Sequence, residues 1–266
     1  MSDNVSVLLI GCGKMGGAML AGWRQWPGFE AAVVEPKAPV ETASNITLYT
    51  DASELPAGLK PDAVIAAVKP QEMDNVAPLY QRFVGPGTVF LSIAAGKTIA
   101  AFEQYWGNGA AIVRAMPNTP AAVGRGVTVL AANANVSGNQ RALCQRLLEA
   151  VGSVEWVDDE GLLDAVTAVS GGGPAYVFLL IEALADAGVA AGLPRELSDS
   201  IARATVEGSG ELCRQANESP EILRKNVMSP GGTTAEAIGV LDAPDAIRPL
   251  FERAIAAATA RSRELA

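Results

Sequence analysis

Val5-Ser6-Val7-Leu8-Leu9-Ile10-Gly11-Cys12-Gly13-Lys14-Met15-Gly16 is the stretch on which the reading of this chain turns. An apolar run of strand length stops at Gly11, and a helical pattern over 15–24 follows at once. The glycines are spaced G-x-G-x-x-G. Gly11 suits a tight turn, and Gly13 lets the backbone approach a pyrophosphate. Gly16 lets the helix pack close to the strand, so that the N–H groups at the helix start face the phosphates. Taken alone, the spacing fits a strand–helix turn without a ligand equally well. The strand before it, the helix after it and the pattern beyond make it a dinucleotide-binding fingerprint.

Working outward, short apolar runs recur at 31–34, 63–68, 89–93 and 112–115, separated by polar or helical stretches. Residues 126–131 add a strand, 137–151 a helix and 154–157 a last strand. This alternation predicts a mainly parallel sheet in an α/β fold. Glu35 closes the second run. An acid about twenty residues past the glycines accepts hydrogen bonds from the adenine-ribose hydroxyls and repels a 2′-phosphate. An ordinary exposed loop glutamate fits the position equally well, and Lys37 beside it complicates the charge argument.

After Asp158-Asp159-Glu160 the pattern turns helical. Helices are expected over 162–169, 174–191, 194–215, 220–226, 233–241 and 243–265, several with proline near the start, where its missing N–H is harmless. The expected division is a dinucleotide-binding Rossmann-type domain at 1–157 and an all-helical domain at 158–266. The 174–191 helix is apolar nearly all round (Tyr176, Val177, Phe178, Leu179, Leu180, Ile181, Leu184). Such a helix needs cover on every side, which predicts burial against a second subunit; the alternative is the central helix of one chain's core.

Composition removes whole classes of chemistry. Among 266 residues there is no histidine, which excludes Ser-His-Asp and Cys-His catalysis, the usual zinc sites and a histidine acid/base dehydrogenase; no metal is expected. The net charge of −9, without a Lys/Arg run, makes nucleic acid a poor partner. No apolar run reads as a membrane span, 175–181 being stopped by Glu182 and then Asp186. The start Met1-Ser2-Asp3-Asn4 has no basic leader region. Cys12, Cys144 and Cys213 fit no metal or redox spacing, so free thiols and a cytoplasmic location are expected.

Two glycine-rich segments precede C-terminal helices. Ser170-Gly171-Gly172-Gly173-Pro174 allows a close backbone approach, or is a helix start capped by serine. Met228-Ser229-Pro230-Gly231-Gly232-Thr233-Thr234 offers free N–H groups suited to a carboxylate. Thr233 with Glu236 also spells a capping box, which would spend those donors on structure.

Together with Ala67-Val68-Lys69-Pro70, Ala94-Ala95-Gly96, Arg114-Ala115-Met116-Pro117-Asn118-Thr119-Pro120 and Asp164-Ala165-Val166-Thr167, these segments, in this order, closely resemble the Δ1-pyrroline-5-carboxylate reductases, the last enzymes of proline synthesis. The likeness runs from about Val5 to Leu265. It implies a Rossmann domain followed by a helical dimerisation domain, in dimers that often assemble further. It also implies reduction of the cyclic imine to L-proline by NADPH or NADH. It implies that Gly11, Cys12, Gly13, Lys14, Met15, Gly16, Glu35, Ala67, Val68, Lys69, Pro70, Ala94, Ala95, Gly96 and Asn226 line the cofactor. It implies that Ser229, Gly231, Gly232, Thr233 and Thr234 bind the substrate carboxylate, from the neighbouring subunit. Glu160 would border the substrate, and Thr234 would meet the ring nitrogen as the catalytic hydroxyl. Two positions depart from the family pattern: Gly172 stands where the family usually has serine, and Glu35 stands where a small polar residue is common. An imine substrate, bound as an iminium, is already electrophilic, so the reaction suits a chain without imidazole.

Two other readings compete. A β-hydroxyacid dehydrogenase would carry a catalytic lysine on the helix after 170–173, where none occurs before Lys225. A nucleotide-sensing regulator would keep 11–16 and have no use for 229–234.

Overall fold

The computed structural model describes residues 4–37 and 43–265; the Met1-Ser2-Asp3 start lies outside them. Eight strands form one sheet among these residues: β1 (Val5–Ile10), β2 (Phe29–Val34), β3 (Ile46–Tyr49), β4 (Ala63–Ala66), β5 (Val89–Ser92), β6 (Ala111–Met116), β7 (Gly126–Ala132) and β8 (Gly152–Trp156). Their order is β3-β2-β1-β4-β5-β6-β7-β8. Every neighbouring pair is parallel except β6 and β7. The strands are apolar on both faces because both are covered. Along β1, Val7 and Leu9 join one core, with Trp23, Leu147 and Leu148; Leu8 and Ile10 join the other, with Tyr80, Phe102 and Trp106.

The helices of this part are α1 (Lys14–Trp23), α2 (Met73–Val76), α3 (Ile99–Trp106), α4 (Gly138–Glu149) and α5 (Leu162–Val166). Thr98 caps α3 by accepting from the Ala101 N–H. Ser137 and Gln140 form a capping box on α4. The sequence reading missed β3, an edge strand of which only Ile46 is buried; four residues with one inward side chain give too little alternation to detect.

The expected helical run follows as α6 (Gly173–Ala190), α7 (Arg195–Gln215), α8 (Pro220–Asn226), α9 (Thr233–Leu241) and α10 (Ile247–Glu264). By compactness the chain divides at Gly171/Gly172, and the segment from Ala258 on belongs with the first unit. The change of pattern near Val157 therefore precedes the spatial division. Ser262 Oγ, which donates to Asp164 Oδ1 at 2.7 Å, ties the end of α10 to α5.

Ala185 alone on α6 is buried. Phe178 is 59% and Leu179 63% exposed, with Val177, Leu180 and Leu184 exposed as well. The alternative in which α6 is the covered core of a single chain therefore does not hold. The stretch Leu162–Ala190 is long and apolar enough, by length and composition alone, to cross a membrane (mean hydropathy 1.4). This corrects the reading that no segment reaches that length: Glu182 and Asp186 are too sparse to offset the leucines, valines and alanines around them. Cover by a second copy of the chain predicts that the protein sediments as a dimer or larger at micromolar concentration. Phe178→Glu with Leu179→Glu should then weaken self-association at least about a hundredfold, since each large apolar side chain covered is worth about 1.5–3 kcal/mol. A wild-type monomer in sedimentation would contradict this.

Candidate active site

In an open parallel sheet the ligand crevice lies beyond the C-terminal strand ends, where the strand order reverses. Here that point is between β1 and β4. A cleft of about 460 Å³ opens there, lined by Gly11, Gly13, Glu35, Ala67, Val68 and Lys69 among others. The expected cofactor residues of three separate loops are thus brought together on one side of the sheet.

The glycine loop has the geometry its spacing called for. Gly11 has φ +85°, and a Cβ on it would sit 2.9 Å from the Ala67 carbonyl oxygen. A Cβ on Gly16 would lie 2.4 Å from the Gly11 carbonyl oxygen, so only glycine lets α1 seat this close. A Cβ on Gly13 would meet nothing within 4 Å; that side is open, and no side chain caps α1. An uncapped helix start with an open approach fits a pyrophosphate.

Glu35 is fixed from both sides. Its Oε2 accepts from the Cys12 N–H at 2.8 Å, and its Oε1 accepts from the Lys37 N–H at 2.9 Å. The carboxylate thus ties the glycine loop to the end of β2 and lines the cleft. Burial, and then the Glu35 charge, push the Cys12 thiol upward, which keeps it protonated and unreactive. The 94–96 turn follows β5; Gly96 has φ +75°, and its Cβ position is closed by the Leu265 carbonyl oxygen at 2.9 Å.

Glu160 is held by two partners from other elements. Its Oε1 accepts from Arg114 Nη1 and from the Ile99 N–H, each at 2.8 Å. The Arg114 side chain is only 5% exposed. Glu160 thus joins β6 to the start of α3, directly after the 94–96 turn. Asn118 was read only as part of a motif. Its Nδ2 lies 3.3 Å from Ser170 Oγ, and its Oδ1 accepts from the Val127 N–H at 2.9 Å. Ser170 does not cap α6, whose N-cap is Gly172 and which has no side-chain cap. A charged residue inside an otherwise apolar strand was the available signal for Arg114, because such a charge needs a partner.

In the helical unit, Asn226 ends α8 and is exposed. The capping box spelled by Thr233 and Glu236 does not form: Gly232 occupies the cap position of α9, and no side chain caps it. Gly231 turns the chain at φ +67°. Gly232 donates its N–H to the Ser229 carbonyl at 3.0 Å, so that donor is spent within the turn. Its contribution is the missing Cβ, which would lie 2.4 Å from Ser229 Oγ. Thr233 and Thr234, both exposed, are the first residues of α9, where backbone N–H groups have no partner within the helix.

A family profile described as pyrroline-5-carboxylate reductase dimerisation matches residues 160–265. The pyrroline-5-carboxylate reductase of Pseudomonas aeruginosa is 38% identical over 98% of this chain and 96% of its own. The chain belongs to the pyrroline-5-carboxylate reductases. Among solved structures, the reductase of Coxiella burnetii has a TM-score of 0.88 at 32% identity, covering 100% of this chain and 99% of its own. That of Plasmodium falciparum, solved with NADP bound, has a TM-score of 0.80 at 29% identity, covering 99% and 98%.

In this reductase the Arg114–Glu160 pair is a half-buried joint whose loss should be measurable as stability. Glu160→Ala or Arg114→Met alone should destabilise the α/β unit by about 3 kcal/mol, because each strands the other charge. The double variant Arg114→Met with Glu160→Ala should be less destabilised than the sum of the two single changes. Denaturant unfolding followed by tryptophan fluorescence checks this; single variants within about 0.5 kcal/mol of wild type would show that the joint carries no load.

Proposed function

We propose that this reductase holds its cofactor at the 11–16 helix start and its substrate at the 229–234 helix start. Its reaction is reduction of the cyclic imine 1-pyrroline-5-carboxylate to L-proline. NADPH or NADH, when bound, supplies the hydride. The observation that carries the site assignment is that both glycine segments end in helix starts without a side-chain cap, one shaped for a pyrophosphate and the other for a carboxylate.

In this reading the Thr233 and Thr234 N–H groups and the Gly231 backbone hold the substrate carboxylate, with Ser229 Oγ beside them. The Thr234 hydroxyl hydrogen-bonds the ring nitrogen, holds the iminium proton in place and orients the ring. No side chain needs to act as a strong acid or base, because the iminium is electrophilic when it binds. Glu35, the 67–70 loop and the 94–96 turn hold the dinucleotide, with Asn226 assigned to it through the family likeness. Glu160 acts through Arg114 and α3, setting the turn before Ile99.

The acting form is a homo-oligomer built through the helical unit, and we further propose that dimers assemble into larger particles. Exposed Leu212 and Val240, outside α6, support that reading. The net charge of −9 argues against nucleic acid. Glu182 and Asp186 on α6 favour cover by protein over cover by lipid. The free thiols of Cys12, Cys144 and Cys213 fit a cytoplasmic setting.

Thr234→Ala should lower kcat/KM by about tenfold to a hundredfold, as expected for one lost polar contact at the reacting group. It should leave cofactor affinity and Tm unchanged, since Thr234 caps nothing. Thr234→Ser should keep most of the activity. Steady-state oxidation of the reduced cofactor with pyrroline-5-carboxylate measures all three, and near-wild-type turnover by folded Thr234→Ala would end the assignment.

A further inference from the structure

The cleft beside β1 and β2 is charged in a way that bears on which nicotinamide cofactor it takes. Among its described lining residues are three carboxylates, Glu35, Asp51 and Glu72, against two ammonium groups, Lys37 and Lys69, and no arginine. The adenine ribose of a dinucleotide lies at the end of β2 in this fold. A 2′-phosphate there would bring about −1.5 to −2 of charge.

Two of the three acids are held by backbone N–H groups. Glu35 is fixed by the N–H groups of Cys12 and Lys37. Asp51 accepts from the Ser53 N–H at 2.8 Å, and hydrogen bonding from Ser53 holds its carboxyl below the ordinary range. Lys37 is the cation nearest to Glu35 along the chain, but its Nζ lies 3.6 Å from Glu72 Oε1. Of the two ammonium groups, the one at the β2 end, Lys37, thus already faces Glu72 across an exposed contact, and the carboxylate that would repel a 2′-phosphate is held by two backbone N–H groups.

Resting on the reductase reading above, we propose that this chain selects NADH over NADPH, and that Glu72 is a specificity-determining residue which acts by engaging Lys37. Glu35 excludes the 2′-phosphate directly. Glu72 does so at one remove, by keeping the Lys37 ammonium from the place where the phosphate would sit.

The test uses the whole protein and two probes, AMP and adenosine 2′,5′-bisphosphate, titrated by calorimetry. Wild type should bind AMP at least as tightly as the bisphosphate. Glu72→Gln, an exposed change, should shift the affinity ratio toward the bisphosphate by about threefold to tenfold, the size expected for one screened charge acting on a phosphate, and less at high salt. Glu35→Gln keeps an oxygen acceptor for the loop and should shift the ratio further. The NADPH-to-NADH ratio of kcat/KM should move in parallel. Tighter binding of the bisphosphate by wild type, or a ratio that neither substitution moves, overturns the proposal. Expected probe ratios without turnover of pyrroline-5-carboxylate by either cofactor would instead strike the reductase reading and leave the selectivity standing.

Discussion

The approach of α1 to the end of β1 is the constraint on which the rest is built. A methyl group at position 16 would stand 2.4 Å from the Gly11 carbonyl oxygen, closer than any side chain tolerates. Only glycine lets the helix sit there, and a Cβ at Gly13, before its first turn, would meet open space. That seat lies at the β1/β4 switch of the sheet, where the loops after β2 and β4 also end. The carboxylate of Glu35 ties the same loop to β2 through the Cys12 N–H.

On the far side of the sheet centre the corresponding work is done by charge. Arg114 is enclosed on β6, and Glu160 supplies both its counter-charge and an acceptor for the first N–H of α3. A buried ion pair is a costly way to gain stability, but it fixes position. Here it joins a strand, a helix start and the segment leading into α5. Asn118 does similar work without charge, between the Val127 N–H and Ser170. The second half of the chain differs: α6 carries large apolar side chains that the chain itself leaves exposed.

The α/β half was legible because strand and helix periods differ and the glycine spacing has a mechanism behind it; the strands from Val5 and the helix from Lys14 follow directly. β3 was not, since a four-residue edge strand with one buried side chain leaves almost no pattern. The capping box at Thr233 shows the limit of local rules. The right residue types stand at the right spacing, yet the turn at Gly231 moves the cap to Gly232 and leaves the threonines exposed. Glu160 was placed by family likeness near the substrate, and its partners were invisible because Arg114 is far away in sequence. The charge balance around Lys37 likewise depends on Glu72 and Asp51, which only the folded sheet brings beside Glu35.

The reaction passes hydride from the nicotinamide cofactor to the imine carbon of pyrroline-5-carboxylate. The most direct measurement follows the label. The enzyme is incubated with pyrroline-5-carboxylate and a reduced cofactor deuterated at the transferring carbon, and the proline is analysed by mass spectrometry and NMR. The account predicts L-proline carrying deuterium on the ring carbon that had been double-bonded to nitrogen. Unlabelled proline, or no consumption of the reduced cofactor, would contradict it.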